Sequence, residues 1–468
     1  MKINITKENN TTPLQHFCFY TEDSWKSNAI KDATAFFSGK KNEFFIISKE
    51  GKVDFLIGLG SEPKNFEIQE VAAKFAYDFR KKMAASSTLI QTFGLKNEQT
   101  EYALIGLFLG TYQYPFRAEH PFYEDDFNLV VPEFSEESLV KIQQRILAFC
   151  EGEFACKDWL NKPANYKKVP QITQFLQEIA QKHQFNIQIF NQKKSTELGL
   201  GAFLSVNQGS SQEAAFTILE YHSPNKSAKT VGLVGKCVLF DTGGISIKPS
   251  ENMHYMKSDL GGATAVIGTL IAAAELQLPI NLVAILPITD NAVSAEAFLP
   301  SDVITAYNGK TIEVLNTDAE GRMTLADGLS YLAKNFETDA LIDLATLTGS
   351  SVRMFGNTCG ALFSNNDQLK NALLQSADKT NQRLWNLPLW DVWKDDFTSE
   401  VADFKNISSK PFGDCIVAAK FLEQFIESHP NWAHLDIAGV AFGNTIYSKE
   451  KAATGYGIQL LVDFLENL

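Results

Sequence analysis

The chain has 468 residues, 45% of them hydrophobic and 21% charged, and its 42 Lys and Arg against 55 Asp and Glu leave a net charge of −13. That length exceeds one ordinary core and predicts two domains, while the composition excludes a disordered chain. The acidic balance disfavours non-specific nucleic-acid binding, which depends on Lys and Arg neutralising phosphates.

Residues 1–10 are polar and lack the apolar stretch of a secretory signal. No apolar run reaches the ~18–20 residues that a membrane span needs. Residues 44–48 and 53–59 read as strands, 66–82 and 98–109 as helices, and 127–131 as a further strand. Ser135 opens a helix over 135–149, with Glu137 and Ser138 in its first turn. This alternation with short connections indicates a βαβ architecture. Pro163, Asn165 and Pro170 then interrupt helical periodicity. The boundary is accordingly placed at 150–160, between a smaller N-terminal α/β domain (1–155) and a larger one (156–468). In the larger part 185–190, 215–221, 231–240, 282–288, 340–345 and 434–437 are strand-like. Several are apolar almost throughout, as in strands covered on both faces. Helices are expected over 262–276, 323–334, 368–377, 415–427 and 457–465. The fold expectation is α/β, with a mixed, mostly parallel sheet covered by helices in the larger domain.

Six cysteines (Cys18, Cys150, Cys156, Cys237, Cys359, Cys415) are scattered without a CxxC pair and read as reduced core thiols of a cytoplasmic protein. The histidines are isolated, with no HExxH pair, and no GxSxG element offers a serine nucleophile. Gly235-Lys236 invites a phosphate-loop reading, but Cys237 and the glycine spacing break the pattern.

What remains is a concentration of acids and bases in three glycine-punctuated segments: Lys236, Asp241 and Lys248; Asp259; and Asp318, Glu320 and Arg322. Four carboxylates gathered at one place repel one another unless cations neutralise them, which points to two divalent metals. Asp318, Glu320 and Arg322 are spaced by two, so an extended backbone would project them to one side. An acidic helix N-terminus fits the same residues. Asp259 precedes an expected helix, where an N-cap is the commonest role for Asp. Both readings stand at each place. In open α/β sheets, ligand sites form beyond the carboxyl ends of strands, and Asp241 directly follows one.

The stretches VGKCVLFDTGGISIKP (234–249), MKSDLGGATAV (256–266) and NTDAEGRMTLADGL (316–329) closely resemble the leucine aminopeptidase, or cytosol aminopeptidase, family. DLATLTG (343–349) and WAHLDIAG (432–439) support the match, which runs in order over residues 160–468. The resemblance implies that Lys236, Asp241, Asp259 and Glu320 hold one metal, and Asp241, Asp318 and Glu320 the second. It makes Lys248 and Arg322 catalytic, and places Met256, Thr346, Leu347 and Ala438 in the specificity pocket. It further implies Zn²⁺ or Mn²⁺, with Mg²⁺ an alternative at one site, a bicarbonate at Arg322 as proton shuttle, and a cytoplasmic homohexamer acting on small peptides. The N-terminal domain would serve assembly.

The physics of such a site is coherent. A lysine ligates only as a neutral amine, so its pKa must be lowered by adjacent dications and burial. Two metals ~3.5–4 Å apart would activate a water and polarise the scissile carbonyl. The Lys248 ammonium would stabilise the oxyanion. Cys237, Leu260 and Met323 depart from the usual family residues, but none is among the seven key positions. The expected function is therefore release of an N-terminal leucine or other apolar residue from peptides. A DNA-binding regulator, an inactive paralogue and another metal hydrolase such as a phosphatase are the rivals, the last because carboxylate pairs alone do not name a substrate.

Overall fold

The computed structural model describes residues 2–8, 15–49, 51–81, 88–121, 126–225 and 227–468. Two compact units emerge: Met1–Glu151 with Ile446–Lys449, and Gly152–Thr445 with Glu450–Leu468.

In the smaller unit the described residues form a six-stranded sheet in the order Lys2–Thr6, Asp126–Val130, Thr88–Phe93, Gln15–Tyr20, Lys52–Gly58, Phe44–Lys49. All neighbours are parallel except the final hairpin. The helices Asn65–Phe79 and Asn97–Leu109 lie where periodicity put them, although Lys82, the last residue expected of the first, is outside the described residues. Lys2–Thr6, Gln15–Tyr20 and Thr88–Phe93 were not anticipated. Each is a strand of five or six residues with polar residues at its ends or within it, which breaks the apolar run that marked 44–48. The helix expected over 135–149 continues to Asn161, because Gly152 does not stop it and the first proline comes at 163.

In the larger unit the described residues form a nine-stranded mixed sheet. Its centre is parallel: Trp432–Asp436, Ala340–Ala345, Thr230–Gly235 and Asn281–Asn291 are successive neighbours. Antiparallel strands flank them, with Gly360–Ser364 on one side and Ala215–Tyr221, then Asn186–Phe190, on the other. Every residue of Ala340–Ala345 and Trp432–Asp436 is buried, Asp343, His434 and Asp436 included, as expected of central strands covered on both faces. One apolar core contains residues of helices Val169–His183, Gly261–Glu275 and Ile458–Glu466, the other residues of Glu320–Asn335 and Asp414–Leu422.

The single strand expected over 231–240 is two. Thr230–Gly235 pairs with both parallel neighbours, whereas Cys237–Asp241 pairs with Asn281–Asn291, with an irregular register. At the break the Lys236 N–H donates to Leu344 O and its carbonyl accepts from Ala263 N, both at 3.0 Å. The helix Gly261–Glu275 thus seats its first turn on the broken strand. Gly262 makes that possible: a Cβ there would stand 1.9 Å from Leu344 O and 3.0 Å from Lys236 N. Gly262→Ala should therefore push the helix from the sheet and destabilise the protein by about 2 kcal/mol, read as a lower midpoint in urea unfolding. An unchanged midpoint would mean that the helix end backs away freely.

Candidate metal centre and substrate pocket

The broken strand puts Lys236 beyond the end of one parallel strand and Asp241 at the end of the next, so both reach the same edge of the sheet. Asp259 closes the turn Met253–Ser258, and Glu320 begins its helix. Of the earlier readings, the acidic helix start fits Glu320, while the extended strand at 316–322 and the N-cap at Asp259 do not hold. The N-cap of Gly261–Glu275 is Leu260, which frees the Asp259 carboxylate to face Lys236. NTDAEGR is not extended: residues 317–318 form a turn and Glu320–Asn335 is helical. The turn lets Asp318 and Glu320 converge without the strand geometry, and it sends Arg322 into the helix interior.

Lys236, Asp241, Lys248, Met256, Asp259, Asp318, Glu320, Thr346, Leu347 and Ala438 all line one cavity of about 220 Å³. Ser258, Thr348, Gly349 and Val352 complete it; nothing in the sequence had singled them out. Lys236 Nζ lies 2.8 Å from both Asp259 Oδ2 and Glu320 Oε1 and donates to Thr346 O at 3.0 Å. Lys248 Nζ lies 2.7 Å from Asp241 Oδ2 and 2.5 Å from Asp318 Oδ1. Oxygens of Asp241, Asp259 and Glu320, all buried, come within 4.8 Å of one another. Gly321 belongs to this packing, since a Cβ would meet Lys236 Nζ at 2.6 Å.

Two residues that sequence reasoning missed hold the loops together. Asn291 Nδ2 donates to Asp241 Oδ1 at 2.9 Å and to Thr317 O at 3.1 Å. Thr317 Oγ1 donates to Gly243 O at 2.6 Å and accepts from Ser246 N. A lone Asn at a strand end and a Thr inside a motif carry no periodic signal, so only proximity reveals them.

Arg322 is buried but does not line the cavity. Its guanidinium donates to Asn406 O at 2.8 Å and to Asp414 Oδ1 at 3.2 Å, and its Nε is left buried without a hydrogen-bond partner.

Burial dominates the electrostatics. It pushes Asp241 up to about 7, with Glu320 adding to the shift and Lys248 and Lys236 opposing it. It carries Asp259 well above the usual carboxylate range and raises Asp318. Burial also disfavours a charged Glu320, but Lys236 and Lys248 outweigh it and hold that carboxyl below its ordinary value. For Lys236 burial opposes the charge, and Asp259, Glu320 and Asp241 together raise it above the ordinary lysine value. This is opposite to the lowering that ligation demands. Carboxylates outnumber ammoniums around Lys236, and only the field of a dication would reverse the sign. The donor set fits such an ion: the lone Glu320 Oε2 is buried with no hydrogen-bond partner, and oxygens with one amine suit a hard or borderline dication.

A buried acidic cavity edged by lysines, at the strand ends of an α/β sheet, is a setting that metal-assisted hydrolysis uses. Residues 154–462 match the catalytic domain of the cytosol aminopeptidase family, and the chain belongs to that family and is a peptidase. A protein named "Probable cytosol aminopeptidase" from Rickettsia massiliae is 38% identical over 455 residues, covering 92% of this chain and 89% of that one. A protein of the same name from Chlorobaculum parvum is 44% identical over 322 residues, 69% of this chain and 63% of that one. Among solved structures, a mutant of tomato leucine aminopeptidase superposes with a TM-score of 0.88 at 27% identity, covering 100% and 97% of the two chains. The bottromycin maturation enzyme BotP in complex with Mn gives 0.85 at 28% identity, covering 97% and 99%. No helix among the described residues is long and apolar enough to cross a membrane.

The raised Asp241 pKa has a measurable sign. Between about 4, its unfolded value, and about 7, the folded chain binds the extra proton, so its contribution to stability falls as pH rises through that window. In chelator, the thermal midpoint of the native protein relative to Asp241→Asn should decline from pH 4 to 7. A rising or flat difference would contradict the burial argument.

Proposed function

We propose that this chain is a two-metal aminopeptidase that releases leucine or another apolar residue from the N-terminus of peptides. The observation that carries the reading is the clustering of three buried carboxylates, two of them ion-paired to Lys236, in a cavity that Met256, Leu347, Val352 and Ala438 also line. Lys236, Asp241, Asp259 and Glu320 would hold one ion, and Asp241, Asp318 and Glu320 the other. When bound, the two dications would polarise the scissile carbonyl and make a water acidic enough to attack it. The Mn complex of BotP supports Mn²⁺ as an occupant; Zn²⁺ suits the same donors, and Mg²⁺ only the all-oxygen set of Asp241, Asp318 and Glu320.

The chain's own groups supply the rest. Lys248, raised above its ordinary value because Asp241, Glu320 and Asp318 outweigh its burial, stays an ammonium and donates to the oxygen on which charge develops. Asp241 is aimed by Gly243 N and Asn291 Nδ2 on its Oδ1, which leaves Oδ2 facing inward. The apolar wall takes the side chain of the N-terminal residue and excludes water from it. A bicarbonate at Arg322 rests on family kinship; Arg322 itself lies behind the cavity, with its buried Nε the donor left to take one. Homohexamer formation, an assembly role for the N-terminal unit and a cytosolic location rest on family kinship.

The test is hydrolysis of leucine amide by the full chain. Activity should vanish in chelator and return with Mn²⁺ or Zn²⁺; full activity in metal-free protein would overturn the reading. Lys248→Ala should lower kcat by about 10²–10³ while two metal equivalents still bind by elemental analysis. Arg322→Ala should lower kcat by about 10², and added bicarbonate should no longer stimulate it.

A further inference from the structure

The cavity described above has two walls made by chain segments that leave neighbouring parallel strands. One wall is 346–349, following Ala340–Ala345; the other begins at Ile437, following Trp432–Asp436. The strands end in register, Ala345 opposite Asp436, and Ile437 N donates to Ala345 O at 2.8 Å. Beyond that point no ladder holds the two segments, yet Leu347, Thr348 and Ala438 must all present themselves to the same small space.

Asp436 supplies the missing tie. Its side chain is 1% exposed. Oδ1 accepts the backbone N–H of Leu347 at 3.2 Å and of Ala438 at 3.1 Å, and Oδ2 accepts the Thr348 hydroxyl at 2.6 Å. Among the described residues no ion pair reaches it, so these donors stand in for its lost hydration. All three come from residues that line the cavity. Thr348 extends the tie, because its Oγ1 accepts Ser351 N and caps the helix Gly349–Phe355. The opposite end of the 346–349 wall is held separately, by Thr346 O on Lys236 and Thr346 Oγ1 on Asp259. One wall is thereby clamped between the acidic centre and Asp436, and the other is clamped to it through the same carboxylate.

We infer that Asp436 is the positioning residue of the substrate side-chain pocket, fixing the spacing between the Leu347 and Ala438 walls and hence the size of residue accepted. The inference rests on the reading that this cavity receives the N-terminal side chain of a peptide. Asp436 touches neither substrate nor metal, so its removal should loosen selection and leave the chemical step largely intact.

The experiment compares leucine amide and alanine amide on the metal-loaded native protein, Asp436→Ala and Asp436→Asn. Amide hydrogen exchange is read over 346–352 and 437–441 in the same samples. Asp436→Ala should lower the leucine-over-alanine ratio of kcat/KM about tenfold, mainly through a higher KM for leucine amide, with metal content unchanged. Exchange should speed up in both segments and nowhere else. Asp436→Asn, which keeps an acceptor for the two N–H groups, should recover most of the ratio and the protection. If Asp436→Ala does not fold, Thr348→Val removes one of the three donors and should shift the ratio in the same direction by a smaller factor. An unchanged ratio with unchanged exchange overturns the inference, as does an equal loss on both substrates that Asn does not rescue. A native protein that cleaves neither amide overturns the peptidase reading instead, and the exchange data then judge the tie by themselves.

Discussion

Negative charge packed into a dry space is the constraint on which the rest of this structure depends. Asp241, Asp259 and Glu320 are nearly inaccessible and bring oxygens within 4.8 Å of one another, where mutual repulsion is strong because little water screens it. The chain answers with two lysines, each bridging a pair of acids. The answer is incomplete. Asp241 and Asp259 are still pushed toward their protonated forms and Glu320 Oε2 has no partner. A cluster poised this way favours added positive charge, and that is the physical reason a fold would keep so many acids together.

The backbone contributes to the same end. The helices Gly261–Glu275 and Glu320–Asn335 both begin at the cavity, and the positive ends of their dipoles face the acids. The first sits close because glycines at 261 and 262 allow it, and the strand breaks at Lys236 to receive it. That interruption turns a lysine that would have been one more rung of a ladder into the centre of an ion-pair network. Local irregularity in the sheet is thus the device that builds the site, and the apolar strands around it supply the rigidity that keeps the irregularity in place.

The pocket beside the acids obeys a different rule. Its walls are loops, and loops hold their shape only through specific ties. Thr346 fastens one wall to Lys236 and Asp259, while Asp436 fastens both walls to each other. Arg322 belongs to this outer frame rather than to the cavity surface. It reaches Asp414, whose other oxygen accepts from Ser350 in the helix that follows the Thr346 wall. The acidic cluster and the loops that line the same cavity are therefore tied together by hydrogen bonds through Thr346, Thr348 and Asp436.

The sequence by itself determined most of the central elements of the larger unit, since 340–345 and 215–221 declare themselves by runs apolar almost throughout and 262–276 by its length and its glycine start. It did not anticipate the helix Val169–His183, whose Pro170 sits in the first turn, or the strand Gly360–Ser364. It also singled out the acids and bases of the three glycine-punctuated segments, although a helix cap or an acidic helix start accounts for Asp259 and Glu320 equally well at that level. It missed three strands of the smaller unit, Lys2–Thr6, Gln15–Tyr20 and Thr88–Phe93, where polar residues interrupt the apolar run. It read 231–240 as one strand, because a break made by a neighbouring helix leaves no local mark. Only the tertiary structure decided that Asp318 and Glu320 meet through a turn, that Asp259 faces Lys236 instead of capping its helix, and that Asn291, Thr317 and Asp436 hold the loops. Each of those facts depends on groups far apart in the chain, and a hydrogen bond between strand ends is written in distance, not in composition or period.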